Sequence, residues 1–110
     1  MMIPERKIIT MSAIRLTEDE IPDHLAHLPG WTRSGDTVTR QYIFSDFGHA
    51  LDFVNAVGKA AEDVNHHPDI DIRYHKVTLA LTTHSAGGLT LLDMQMAAAA
   101  DGDADALDGV

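Results

Sequence analysis

The chain contains no cysteine. Disulfides and thiolate metal sites are therefore closed to it, and a reducing, cytoplasmic setting fits. Positive charge is scarce as well: Lys and Arg number 8 against 17 Asp and Glu, giving a formal net charge of −9 and a pI near 4.9. That balance argues against nucleic-acid binding and against attraction to an anionic membrane surface. No apolar run is long enough to span a bilayer, and Met1 to Ile14 lacks the continuous apolar stretch of a secretory signal. This segment reads as an N-terminal extension, with Met11 as an alternative start. There is no glycine-rich phosphate loop, internal repeat or linker.

What is present suits a single domain. The chain has 110 residues, 45% of them hydrophobic, enough for one core and too few for two. Thr17-Glu18-Asp19-Glu20 is a capping box, followed by Ile21, Leu25 and Leu28 on one helical stripe and stopped by Pro29-Gly30. Trp31 to Arg33 reads as a short strand and Ser34-Gly35-Asp36 as a turn. In Thr37 to Phe44, Val38, Tyr42 and Phe44 fall on one face of a half-buried strand. Ser45 and Asp46 are N-cap residues for a second helix, whose apolar face is read as Phe47, Ala50, Leu51, Val54, Val57, Ala61 and Val64. Pro68 ends it. Ile70, Ile72 and Tyr74 alternate on even positions, and Val77, Leu79 and Leu81 on odd ones. The parity change at His75-Lys76 means either a bulge or a hairpin. Thr90-x-x-Asp93 caps a third helix through Met94, Met96 and the alanines. Residues 1–100 are read as the domain. Asp101 to Val110, acidic and poor in apolar side chains, is expected to be a disordered tail.

The seven histidines differ in setting. His24, His27 and His49 fall on helical surface positions, and His75 sits at the strand junction as a turn residue. His66 and His67 are held against Pro68, whose ring fixes its own backbone and restricts the residue before it. Adjacent residues of a regular strand point to opposite faces, so both reach one pocket only if the corner is irregular. A histidine near a helix C-terminus is satisfied by the dipole alone; His84 in register with the pair turns the reading toward a site. Zinc is disfavoured, because adjacent histidines chelate one ion awkwardly and the helical His-x3-His spacing is absent. Glu62, four residues before His66, either orients that imidazole or is a solvated helix charge. Asp93 is accounted for by capping, and Tyr74 and Trp31 read as core aromatics.

The whole pattern, Glu62-x3-His66-His67-Pro68-x5-Tyr74-x9-His84-x8-Asp93, resembles the signature of the pterin-4a-carbinolamine dehydratases, and the likeness extends from about Leu16 to Ala98. The resemblance settles the parity change as a hairpin and implies an α+β fold of order α-β-β-α-β-β-α, a four-stranded antiparallel sheet with helices packed on one face. It implies dehydration of a 4a-hydroxytetrahydropterin to the quinonoid dihydropterin, with His66, His67 and His84 as acid/base groups near neutral pH. On this reading His66 and His84 transfer protons and His67 holds the substrate. Asn65, Thr82, Thr83 and Ser85, with Glu62, would line the pterin; strand propensity alone also explains the two threonines. No metal, nucleotide or redox cofactor is implied. Members of this family also serve as dimerisation cofactors or assembly partners, so a protein partner is the alternative reading. The uncovered sheet face is expected either to be solvated or to pack in a homodimer or homotetramer, while the alanine-rich third helix departs from the family pattern where relatives make subunit contacts.

Overall fold

The computed structural model describes residues 14–110; the expected N-terminal extension lies outside these, apart from Ile14. Helix α1 (Glu20–Leu25) is followed by β1 (Thr32–Ser34), β2 (Thr37–Ile43), α2 (Phe47–Val64), β3 (Asp69–Arg73), β4 (Lys76–Leu81), a 3-10 turn (His84–Ala86) and α3 (Leu91–Ala106). The strands form one antiparallel sheet in the order β1-β2-β4-β3. The element order and the α+β class are those expected from the sequence.

Strand alternation decides the two faces. Val38 pairs with Leu81, and Tyr42 with Val77, while Ile70 pairs with Leu79 across the other side of β4. Val38, Tyr42, Val77, Leu79 and Leu81 are completely buried beneath the helices. Thr39, Gln41, Thr78, Asp69 and Asp71 occupy the other face, which is largely polar. At ~25 cal/mol per Å² of apolar surface removed from water, the large residues of the covered face each contribute about 1.5–3 kcal/mol.

Three readings are corrected by packing. The core stripe of α2 is Ala50, Phe53, Val57 and Ala61. Phe47, Leu51 and Val64, placed on the core face from the sequence, are 45%, 37% and 54% exposed. The apolar arc of α2 is wider than the surface available to cover it, so its edges remain in water. Trp31 is buried as expected, but Tyr74 is 68% exposed. It occupies the β3–β4 hairpin turn with a left-handed backbone (φ 53°), its ring edge-on to His75. A turn at the end of a sheet has no core to offer a ring.

The third correction concerns the C-terminal ten residues. They are ordered, with α3 continuing to Ala106. Asp101 Oδ1 accepts hydrogen bonds from Trp31 Nε1 (3.0 Å), Arg40 Nη1 (2.8 Å) and the Tyr42 hydroxyl. Burial first, and then this bond, push the Tyr42 hydroxyl above the usual phenol range, so it remains a donor. Beyond the helix, Val110 and Ile43 exchange two backbone hydrogen bonds of 2.9 and 3.0 Å. Gly109 packs so closely on the Phe44 ring that a Cβ there would overlap it. Acidic composition predicts disorder only where the charges lack partners, and here Asp101 has three.

Candidate active site

Helix α2 ends at Asn65, which adopts the left-handed conformation (φ 51°) and lets the His66 N–H close back on the Ala61 carbonyl at 3.0 Å. This is the irregular corner that the His-His-Pro run requires. It leaves the two imidazoles in different settings, one buried and one exposed. His66 turns inward and is 7% exposed, whereas the His67 side chain remains 53% exposed.

His66 Nε2 meets Asp93 Oδ1 at 2.6 Å. Asp93, with no exposed surface, is a second-role residue that capping logic had concealed. Its Oδ2 accepts from the Thr90 backbone N–H (2.9 Å), closing the α3 capping box, and from the Thr83 hydroxyl (2.8 Å). The Thr83 and Thr90 hydroxyls lie 2.8 Å apart. A carboxylate only accepts, so Nε2–H of His66 donates to Asp93. The cap and the histidine partner are one carboxyl group, and nothing in the sequence distinguishes that from a cap alone.

The network joins two chain segments. His66 precedes His67, and Thr83 precedes His84; successive Cα atoms lie about 3.8 Å apart. One buried carboxylate thus fastens both segments that carry exposed imidazoles. His84 opens the 3-10 turn and is exposed, as is Ser85; Thr82 is partly buried and Thr83 buried. Glu62 does not reach His66. Its carboxylate pairs with His67 Nε2, while Asn65 stays exposed with its backbone serving as the helix cap. Tyr74 and His75 lie at the far end of β3, a strand of five residues spanning about 17 Å, and take no part in this cluster. Among the described residues, no group of three or more His, Asp or Glu side chains gathers in metal-binding proximity, and no helix is long and apolar enough to cross a membrane.

Known proteins resemble the chain in sequence and in fold. A relative from Thermomicrobium roseum, provisionally named a pterin-4-alpha-carbinolamine dehydratase, is 49% identical over 83 residues, covering 76% of this chain and 89% of the relative. A similarly named protein from Picosynechococcus is 46% identical across 81% of this chain and 97% of its own length. The crystal structure of a transcriptional coactivator/pterin dehydratase from Brucella melitensis superimposes with a TM-score of 0.80 at 37% identity, covering 82% of this chain and 98% of that one. A pterin dehydratase-like protein described as a RuBisCO assembly factor shares the fold, with a TM-score of 0.57 at 19% identity over 67% of this chain and 86% of that one. The family model described as pterin 4 alpha carbinolamine dehydratase matches residues 14–102, and the chain belongs to that family.

Proposed function

We propose that this protein dehydrates 4a-hydroxytetrahydropterins to quinonoid dihydropterins. The supporting observation is the buried Asp93, which ties the His66 segment to the Thr83 segment and so fixes the backbones beneath His67 and His84. In the reaction the C4a–O bond breaks, the hydroxyl leaves as water with a proton from an acid, and a base removes the N5 proton as the C4a–N5 double bond forms. No electrons are exchanged with a partner, so no redox cofactor or metal is required. Imidazoles suit both roles because each protonation state is well populated near neutral pH.

Burial favours a division of labour different from that read in the sequence. His67 and His84 are exposed and can meet a bicyclic substrate; we assign them the two proton transfers, with Glu62 orienting His67. His66, largely enclosed and held by Asp93, is assigned the supporting position at the base of the site. Asn65, Thr82 and Ser85 are assigned to the pterin edge, and Thr83 to the His66 network. A cytoplasmic location and self-association belong to the same proposal. Association is supported by the exposed Phe47, Leu51 and Val64 of α2, and a monomer by light scattering at micromolar concentration would contradict it. A scaffold role as in the assembly-factor relative would have no need of the exposed histidines.

The test is the dehydration rate of chemically prepared 4a-hydroxytetrahydropterin. His67→Ala and His84→Ala should each lower it by about 10²–10⁴-fold, the usual contribution of a proton-transferring group. His24→Ala and His27→Ala should leave it unchanged. Full activity in a His67→Ala, His84→Ala double variant would refute the mechanism, and no rate above background in the parent protein would refute the function.

A further inference from the structure

Helix α3 carries Asp93, yet its buried side is poor in features that would fix its position. Besides Asp93 that side is Met94, Met96, Ala97, Ala100 and Ala104. Alanines form a smooth surface and methionines adapt to their surroundings, so apolar packing specifies the rotation and axial position of such a helix weakly. Polar side-chain attachments supply what the packing lacks, and among the described residues α3 makes two. One is the Asp93 network with His66 and Thr83. The other is Asp101, whose Oδ1 receives Trp31, Arg40 and Tyr42 from the β1–β2 side of the molecule.

The second attachment is itself rigidly held. The Arg40 guanidinium carbon stands 4.4 Å from the Tyr42 ring centroid. On its other flank Arg40 packs on Gly30, where a Cβ would lie 2.5 Å from the same carbon. Trp31 is edge-on to Tyr42, with centroids 6.3 Å apart. All three donors are therefore fixed before they meet the carboxylate. Asp93 and Asp101 are eight residues apart, about 12 Å along the helix and about 80° around it. Two attachments separated in both respects hold a helix against sliding and against rotation, which neither does alone.

We infer that Asp101 is a positioning residue for the active site: by anchoring α3 to Trp31, Arg40 and Tyr42 it holds Asp93 in register with His66. This rests on the dehydratase reading for its kinetic consequence, but not for its structural one. A misplacement of about 1 Å in a catalytic arrangement can lower a rate by roughly 10²-fold. Asp101→Ala should therefore lower kcat for carbinolamine dehydration by about 10–10²-fold with KM changed less than about threefold, because orientation is lost and not binding. Asp101→Asn keeps an acceptor oxygen at the same place and should retain kcat within about threefold.

The decisive readout needs no substrate. The His66 Nε2 proton, bonded to Asp93, should give a low-field imidazole resonance in the resting protein, identified by its loss in His66→Gln. Asp101→Ala should broaden or abolish that resonance, and Asp101→Asn should preserve it. An unchanged resonance together with kcat within twofold of the parent in folded Asp101→Ala would overturn the inference. Should that variant fail to fold, Trp31→Phe combined with Tyr42→Phe removes two of the three donors and keeps an aromatic ring at each position. A weakened resonance there supports the positioning role, and an unaltered one overturns it. If the parent protein turns over no carbinolamine, the functional proposal falls while the resonance still decides this one.

Discussion

Replacing Asp93 separates its two tasks. In Asp93→Ala the His66 Nε2–H and the Thr90 N–H lose their acceptor at a buried site, while the Thr83 hydroxyl keeps Thr90 Oγ1 as a partner. Each buried polar group left unpaired costs about 1–3 kcal/mol, the Thr90 N–H being the one that the capping box supplied. The two together give about 2–6 kcal/mol, bracketing the roughly 3–5 kcal/mol of breaking a buried pair by removing one member. Native stability is only about 5–15 kcal/mol for a domain. At roughly 4 °C per kcal/mol for a chain of this size, the melting temperature should fall by about 8–24 °C.

Asp93→Asn behaves differently. Its carbonyl oxygen can take the Oδ2 position, accepting from Thr83 and Thr90, so the cap survives. Its amide then points at His66 and donates, which forces the imidazole proton from Nε2 to Nδ1. Exchange of a charge-assisted bond for a neutral one costs about 1–2 kcal/mol, or about 4–8 °C. Dehydration should nevertheless fall substantially, because the tautomer is reversed while the fold is kept. Thermal unfolding followed by circular dichroism, beside the dehydration assay, distinguishes the two. Asp93→Ala destabilised by less than about 1 kcal/mol, or Asp93→Asn as unstable as Asp93→Ala, would refute the argument that one carboxyl group serves both as cap and as histidine partner.

Deletion of Asp101 to Val110 removes the acceptor of three donors and the C-terminal end of α3; at about 1 kcal/mol per hydrogen bond, and more for the charged one, it should lower stability by about 3–6 kcal/mol, and an unchanged denaturation midpoint would contradict this. Gly109→Ala forces a methyl group into the Phe44 ring and should destabilise by about 1–3 kcal/mol, measured by urea unfolding; a neutral effect would mean that the C-terminal turn yields. The His49 Nδ1–H donates to Asp46 and raises His49 above its ordinary 6.5; the His49 backbone N–H first, and then this side-chain bond, lower Asp46 below 3.8. His49 therefore adds stability that is complete below pH 6.5 and lost as pH rises through its raised value; Asp46 adds stability present above pH 3.8 and lost as pH falls through its lowered value. The pair is solvent-screened, so the slope is small, and His49→Ala should remove the alkaline part of it; a melting temperature that rises as His49 deprotonates would reverse the sign.

The order of elements was legible from the sequence because local rules govern it. Capping residues at Asp46 and Thr90, alternation through Val38, Tyr42 and Leu79, and Pro68 after the second helix each act over a few residues. The family signature from Glu62 to Asp93 was legible for the same reason: it is a spacing, and spacing is what a sequence records. Long-range packing alone decided the rest. Which edge of the wide apolar arc of α2 stays in water depends on what covers it, so Phe47 and Leu51 are exposed and Phe53 is buried. Whether His66 or His67 faces inward depends on the left-handed turn at Asn65 and on a carboxylate 27 residues further along. The fate of the acidic C-terminus depended on donors 61 and 70 residues earlier, at Arg40 and Trp31. An aspartate in an alanine-rich run has no local sign of its partners; only the fold brings Trp31, Arg40 and Tyr42 to one oxygen, and the charge that read as disorder becomes an anchor.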